Sequence, residues 1–330
     1  MRHHFTKATL AGLTALAAAT FAAPAQADSS YPNRPITFVV SFAPGGLSDT
    51  GARLVAAEMT KYLGQPIVIE NKPGASGVNG GTVVWRAPPD GYTLLASAIS
   101  EVQNLHYLKV PYKFASEFSP IGKIADGPAT VLIVNANSPF KTFDDLIKHV
   151  KANPGKVNFA TSGPATTPAI AIAQLNSIAK TDIVGVAYRG SGPAAAAVVS
   201  GDVIGAFTFN SIATPLVENK QVRILAVASG KRLEGVDAPT MEELGYKDFD
   251  HDAFVGLSGP PDLPKDVVAK LNDALNKSVR DPEFVAKIKR LGMRPPPQDN
   301  SPEAFRAYIV KETARQGALS KLAPAVLNKQ

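Results

Sequence analysis

The sequence predicts an α/β fold of two lobes, with mixed, largely parallel sheets flanked by helices and a second domain inserted into the first. Three observations carry this. Strand-like and helix-like runs alternate from Pro35 onward, the pattern that layers helices on parallel-rich sheets. The roughly 300 residues that follow a short leader exceed what one hydrophobic core usually organises. A strand-like run, "AFVGLSGP" at Ala253–Pro260, returns late and is followed by amphipathic helices rather than by further strands.

The leader has a basic head (Arg2, His3, His4, Lys7), a run of small and apolar residues from Ala8 to Ala23, and the exit Ala25-Gln26-Ala27. That order is the pattern of a secretory signal peptide over residues 1–27. The run is Ala- and Thr-rich and shorter than the roughly 20 residues a membrane span needs. Cleavage is expected after Ala27, which sends a soluble mature chain to the periplasm of a Gram-negative cell. The formal charge of +6 drops by two as Arg2 and Lys7 leave. The remaining basic residues are scattered, which argues against nucleic acid as a partner. With no cysteine in the chain, disulfides, thiolate chemistry and Cys-ligated metals are excluded.

"ITFVV" (Ile36–Val40) reads as a buried strand, and Asp49–Leu63 as a helix with Ala52, Val55, Met59 and Tyr62 or Leu63 on one stripe, ended by Gly64. "PIVIEN" (Pro66–Asn71) is a second strand. "KPGASGVNGG" is a glycine-rich connection into a helix around Thr82–Ala87, and "YTLLAS" (Tyr92–Ser97) is a third strand. "ATVLIVNAN" (Ala129–Asn137) opens the inserted domain, expected over residues 130–252, with 28–129 and 253–330 forming the first. Within it come a helix at Phe143–Ala152, the strand "KVNFATS", a helix at Pro168–Ile178, "IVGVAY", a helix at Pro193–Ser200, "VIGAFTF" and "RILAVAS". Helices near Lys265–Val279 and Pro302–Ala314, with "DPEFVAKIKRLG" between them, complete the first domain. Such an order gives two crossing segments, hence a hinge and a cleft.

Three strand-to-helix turns are rich in glycine and hydroxyls. In "FAPGGLSD" (Phe42–Asp49), Gly45 and Gly46 permit positive φ and carry no Cβ, so backbone N–H groups stand unshielded. Ser48 or Asp49 is expected to cap a helix whose N-terminus is partially positive, which makes the turn an anion site. "ATSGPATTPAI" places Thr161, Ser162 and Gly163 after a strand, with Thr166 or Thr167 as cap and Pro168 at the first helical position. "AYRGSGPAA" places Tyr188, Arg189, Gly190, Ser191 and Gly192 after another, with Pro193 opening the next helix and Arg189 being the one cation in the three turns. With turns on both domains, all three can converge on a carboxylate between them. Ala43, Ser97 and Thr208 complete the candidate set. Phe42 and Tyr188 are read as ligand walls, and Phe207 and Phe209 as core.

Other motifs weigh less. Gly190-x-Gly192-x-x-Ala195 matches a dinucleotide fingerprint formally, yet Pro193 lies inside it and no acid follows about 20 residues later. "GASGVNGGT" lacks the lysine of a phosphate loop, and Gly256-Leu257-Ser258-Gly259 is one residue short of a nucleophile elbow. His106, His149 and His251 have no metal spacing. No cofactor, metal or catalytic residue is nominated.

Together "FAPGGLSDTGARLVAAEM", "IENKPGASGVNGG", "PPDGYTLL", "YRGSGPA" and "APTMEELG" resemble the Bug, or tripartite tricarboxylate transporter, family of periplasmic solute receptors (TctC-like), from about Tyr31 to the C-terminal helices. The resemblance implies a type II periplasmic-binding-protein, or Venus-flytrap, fold that closes on a small organic anion without catalysis. It implies that Phe42–Asp49, Thr161–Thr167 and Tyr188–Gly190 hold a carboxylate by main-chain amides, hydroxyls and water. The expected partners are the membrane subunits of a tripartite transporter, or alternatively a sensor-kinase ectodomain, with the receptor a monomer. An exported enzyme acting on an organic acid is the more distant reading. The chain departs from the family pattern at Pro164 and Pro168, and carries Ile204 where many relatives place an acid. The latter change removes a partner for a ligand amine, so a di-, tri- or aromatic carboxylate is expected rather than an amino acid.

Overall fold

In a computed structural model that describes residues 31–322, apart from 43, 164, 165, 189 and 231, the chain builds two five-stranded sheets. The leader over 1–27 lies outside the described residues. The first sheet takes β1 (Ile36–Val40), β2 (Ile67–Asn71), β3 (Thr93–Ala98), β4 (Ser119–Asp126) and β10 (Phe254–Gly259), in the order β2-β1-β3-β10-β4. The second takes β5 (Thr130–Asn135), β6 (Val157–Thr161), β7 (Ile183–Ala187), β8 (Gly205–Phe209) and β9 (Val222–Val227), in the order β7-β6-β8-β5-β9. β1 runs parallel to β2 and β3, while β10 is antiparallel to β3 and β4. In the second sheet β6 is parallel to β7 and β8, and β5 antiparallel to β8 and β9. Both sheets are therefore mixed, and each carries its own core.

The helix stripes explain the layering. α1 (Leu47–Leu63) buries Ala52, Val55, Met59 and Leu63, whereas Tyr62 points outward at 45% exposure, which settles the choice between the two stripe positions. Met59 joins Phe38, Leu94, Leu271 and Phe284 in one cluster, all fully buried; each such side chain contributes about 1.5–3 kcal/mol relative to exposure. α9 (Lys265–Arg280) and α10 (Pro282–Arg290) close this layer. Asp281 caps α10, its carboxylate accepting from the N–H groups of Glu283 at 2.8 Å and Phe284 at 3.1 Å. The second sheet is covered by α5 (Phe143–Ala152), α6 (Thr167–Ala179), α7 (Ser191–Ser200) and α8 (Asn210–Glu218). α2 (Val78–Trp85), α3 (Ile99–Tyr107) and α4 (Phe114–Glu117) belong with the first sheet; α11 (Pro302–Leu322) packs on α3, α4 and β4 and also reaches α6.

Between β3 and β5 the sequence reading leaves a gap, which α3, α4 and β4 fill. β4 reads "SPIGKIAD", with Pro, Gly and Lys where a strand usually shows β-branched residues. It is an edge strand that survives because Lys123, with its side chain 8% exposed, lies over the Tyr308 ring at 3.4 Å and pairs with Asp126 at 2.7 Å. α8 was also unforeseen, having Pro215 in its interior.

Two segments cross between the sheets, one from β4 to β5 and one returning from β9 to β10. They touch at Gly127, whose N–H donates to Ala253 O at 2.7 Å. A Cβ at Gly127 would stand 2.7–2.9 Å from Ala253 Cβ, C and O, so only glycine lets the segments approach this closely. Further in, Ala228 N–H donates to Thr130 O at 2.7 Å, and His251 N–H to Ala228 O at 2.9 Å.

Candidate functional site

The first turn is held from beneath by Asp49. Its carboxylate accepts from Gly45 N–H at 2.9 Å, Asn71 Nδ2 at 2.9 Å and Arg53 Nε at 3.0 Å, and Asn71 also donates to Phe42 O at 2.9 Å. Burial pushes the Asp49 carboxyl up, but the hydrogen bonds from Arg53, Gly45 and Asn71 outweigh it and hold the group below the usual carboxylate range. The turn itself depends on Gly45, whose φ is +84°.

This corrects the expected chemistry in two ways. Neither Ser48 nor Asp49 caps the helix, because α1 begins at Leu47 with Gly46 at the N-cap and no side-chain cap. The Gly45 amide is committed to Asp49 and does not point at a ligand. The first helical bond is Thr50 N–H to Gly46 O, at 2.9 Å, which leaves the amides of Leu47, Ser48 and Asp49 without intrahelical partners.

The same economy recurs around one hollow. α6 starts after Thr166, whose hydroxyl donates to Gly163 O at 2.7 Å instead of capping the helix. α7 starts after Gly190, which has no side chain to offer. α3 starts after Ala98, whose own N–H donates to Glu101 Oε2 at 2.7 Å. By contrast α5 carries a Thr142 cap, with Asp145 N–H donating to its hydroxyl at 3.2 Å. The α1, α3, α6 and α7 starts line a cavity of about 500 Å³ between the two sheets. Positive helix ends from both lobes therefore face one space.

Of the residues expected at the site, Phe42, Gly46, Ser48, Ser162, Gly163, Thr166, Thr167 and Gly190 line this cavity. Gly45, Asp49, Ser97, Thr161, Tyr188 and Thr208 do not. Ser97 is buried between strands, with its Oγ 3.3 Å from Ser258 Oγ. Thr161 and Thr208 are buried at 4% and 1% exposure within β6 and β8; Tyr188 is partly buried against the second sheet's cluster that includes Val131, Ala160, Ala194 and Val198. Strand side chains alternate between faces, and these fall on the packed one. Ala43 and Arg189 lie outside the described residues.

Residues that sequence reasoning passed over also line the cavity. Ser76 sits in the glycine-rich connection at φ +54°, held by Asn104 Nδ2 donating to its carbonyl at 2.8 Å. Ser100 and Gln103 come from the unforeseen α3; Ser191, placed in the third turn by the sequence but not counted among the site residues, opens α7 and lines the cavity as well. Phe209, Ile99, Ala253 and Phe254 supply apolar wall; Phe209 was read as core. The missed signal was "ASAISEVQ", a fourth strand-to-helix turn of small residues. Gln103 Nε2 donates to Thr167 Oγ1 at 3.3 Å in a buried contact, a direct link between helices of the two sheets.

No charged side chain lines the cavity among the described residues. Glu101 lies just behind it, fully buried, and receives hydrogen bonds from Ala98 N–H and from Ser100 Oγ at 3.0 Å. Burial pushes its carboxyl above the usual range against those bonds. Both acids near the site thus serve the protein's own amides and hydroxyls.

Comparison with known proteins agrees with this architecture. In solved structures, a periplasmic transporter is similar at 33% identity and a TM-score of 0.80, covering 90% of this chain and 100% of that one. MatC of Rhodopseudomonas palustris, solved with bound malate, is similar at 31% identity and a TM-score of 0.78, covering 88% of this chain and 100% of that one. An R. palustris protein solved with adipate has 27% identity and a TM-score of 0.77, covering 89% and 98%. The protein BugT of Bordetella pertussis is 32% identical over 306 residues, 91% of this chain and 92% of BugT. No helix among the described residues is long and apolar enough to cross a membrane. Residues 51–323 match the model of the tripartite tricarboxylate transporter family receptor, and the chain belongs to that family of solute-binding receptors.

Proposed function

We propose that the protein captures a small organic carboxylate between its lobes in the periplasm and delivers it to a tripartite membrane transporter. The observation that carries this is the convergence of uncapped helix starts from both lobes on one cavity that has no charged lining side chain among the described residues. A carboxylate there accepts hydrogen bonds from first-turn amides and from the hydroxyls of Ser48, Ser76, Ser162, Thr167 and Ser191, with water bridging the longer gaps. The malate and adipate bound by two relatives belong to the same chemical class.

Residues 28–129 and 253–330 move as one body and 130–252 as the other, about the Gly127–Ala253 contact. A ligand that touches both bodies favours the closed state by its difference in affinity between the two. Binding, without chemical conversion, is the whole of this reading. Amino acids fit it poorly, because no acidic side chain lines the cavity among the described residues, and Asp49 and Glu101 already accept hydrogen bonds from the protein's own groups.

Calorimetry and thermal shift with malate, adipate, benzoate and aspartate test it. At least one amine-free acid is expected to bind one to one, and at 100 times its Kd to stabilise the fold by about 2.7 kcal/mol. Aspartate is expected to do neither. Silence towards every acid, a response to aspartate alone, or steady conversion of an acid to product would overturn the reading.

A further inference from the structure

A second hollow, of about 350 Å³, opens beside the carboxylate chamber and shares Gly46, Leu47, Ser191 and Phe209 with it. Its chemistry differs. Pro128, Ile212, Leu291 and Met293 add apolar lining, Thr50 and Ser211 add two hydroxyls, and no charged side chain reaches it among the described residues. Pro128 and Met293 are buried as a floor, while Leu47, Phe209, Ile212 and Leu291 stay partly exposed as walls. The walls come from both lobes: Leu47 and Leu291 from the first, Phe209 and Ile212 from the second. At its lip Gly45 and Gly192 have no atom of the described residues within 4 Å of where a Cβ would stand.

We propose that this hollow is a tail subsite, so that the captured ligand is a carboxylate with an apolar alkyl or aryl tail. The inference rests on the receptor reading above and names the ligand class for it. The head group stays among the hydroxyls and amides of the chamber, and the tail passes the Gly46–Ser191 waist. There it covers apolar wall that closure assembles but does not fill. A second or third carboxylate placed in the hollow would give up water against Phe209, Ile212 and Leu291, where among the described residues only the hydroxyls of Thr50, Ser191 and Ser211 offer side-chain donors. An apolar tail instead gains about fourfold in affinity for each methylene buried. The tail also touches both lobes, so it strengthens closure as well as binding.

The test is calorimetry with straight-chain monocarboxylates from propionate to octanoate, with 3-phenylpropionate and malate alongside. Octanoate or 3-phenylpropionate is expected to bind at least tenfold tighter than propionate and tighter than malate. Gly192→Leu places a side chain in the open lip at a residue without positive φ, and is expected to reduce the octanoate-to-propionate affinity ratio at least fivefold. Ile212→Ser, which makes one wall polar, is expected to lower the same ratio should the first variant fold poorly. A flat series, malate binding tighter than every monocarboxylate, or an unchanged ratio in folded variants overturns the tail subsite and leaves the receptor reading standing. Absence of binding by any acid, malate included, overturns both.

Discussion

Asp49→Ala is expected to lower ligand affinity at least tenfold and to cost about 2–4 kcal/mol of stability. The carboxylate is buried, and its removal strands the Gly45 amide and one donor of Asn71 while freeing Arg53. Arg53 is half-exposed and recovers solvation, so most of the cost falls on the turn. Affinity drops because Phe42, Gly46, Leu47 and Ser48 line the chamber on that turn, though Asp49 itself does not. Asp49→Asn keeps an acceptor for Gly45 and is expected to fall between the two. Urea unfolding measures the first effect, and calorimetry with the tightest-binding acid measures the second. Unchanged affinity in a folded Asp49→Ala protein would show that the turn does not need this support.

Acidification is expected to destabilise the fold through His251. The ring is buried at 1% exposure on the returning crossover, where its Nε2 lies 2.7 Å from Gln174 Oε1 and its Nδ1 has no hydrogen-bond partner among the described residues. Burial and then the nearby Arg315 charge lower its pKa from 6.5 to about 3. A folded value below the unfolded one means that the unfolded chain takes the proton first. The stability of the neutral ring is therefore complete above pH 6.5 and is lost progressively down to pH 3. Between pH 7 and 4 this amounts to about 3 kcal/mol. Burial also pushes the carboxyls of Asp252 and Glu101 above their usual range, so the diagnostic is a difference between variants. His251→Gln, which cannot charge, is expected to lose about 3 kcal/mol less than wild type over that range. Parallel stability curves would remove His251 from the account.

Much of this architecture was legible because its signals are local. The stripe Ala52, Val55, Met59 and Leu63 announces α1, and the late return of "FVGLSG" as β10 announces the insertion. The turns at Gly46, Gly163 and Gly190 were recognisable for the same reason: glycine and hydroxyls before a helix are read within a few residues. What failed depends on distant partners. Ser97, Thr161 and Thr208 were assigned to the site from their place near strand ends, but a shift of one residue exchanges the two faces of a strand, and neighbouring strands decide which is packed. β4 is polar in sequence and is stabilised by Tyr308 from α11, far along the chain. Gln103 belongs to a helix that was not foreseen, and its partner Thr167 is on the other lobe. The role of Asp49 was misread because an acid in the first turn of a helix commonly serves its own N-terminus, whereas here it reaches back to the preceding turn and across to β2.

The central claim is that a negative charge is grasped by amides and hydroxyls from both lobes. Calorimetric comparison of the tightest-binding acid with its own uncharged primary amide tests this most directly, since shape and apolar area are nearly shared. The account predicts that the amide binds at least 100-fold more weakly, because the bonds to a charged acceptor are the stronger ones. An amide that binds within threefold of the acid would contradict it.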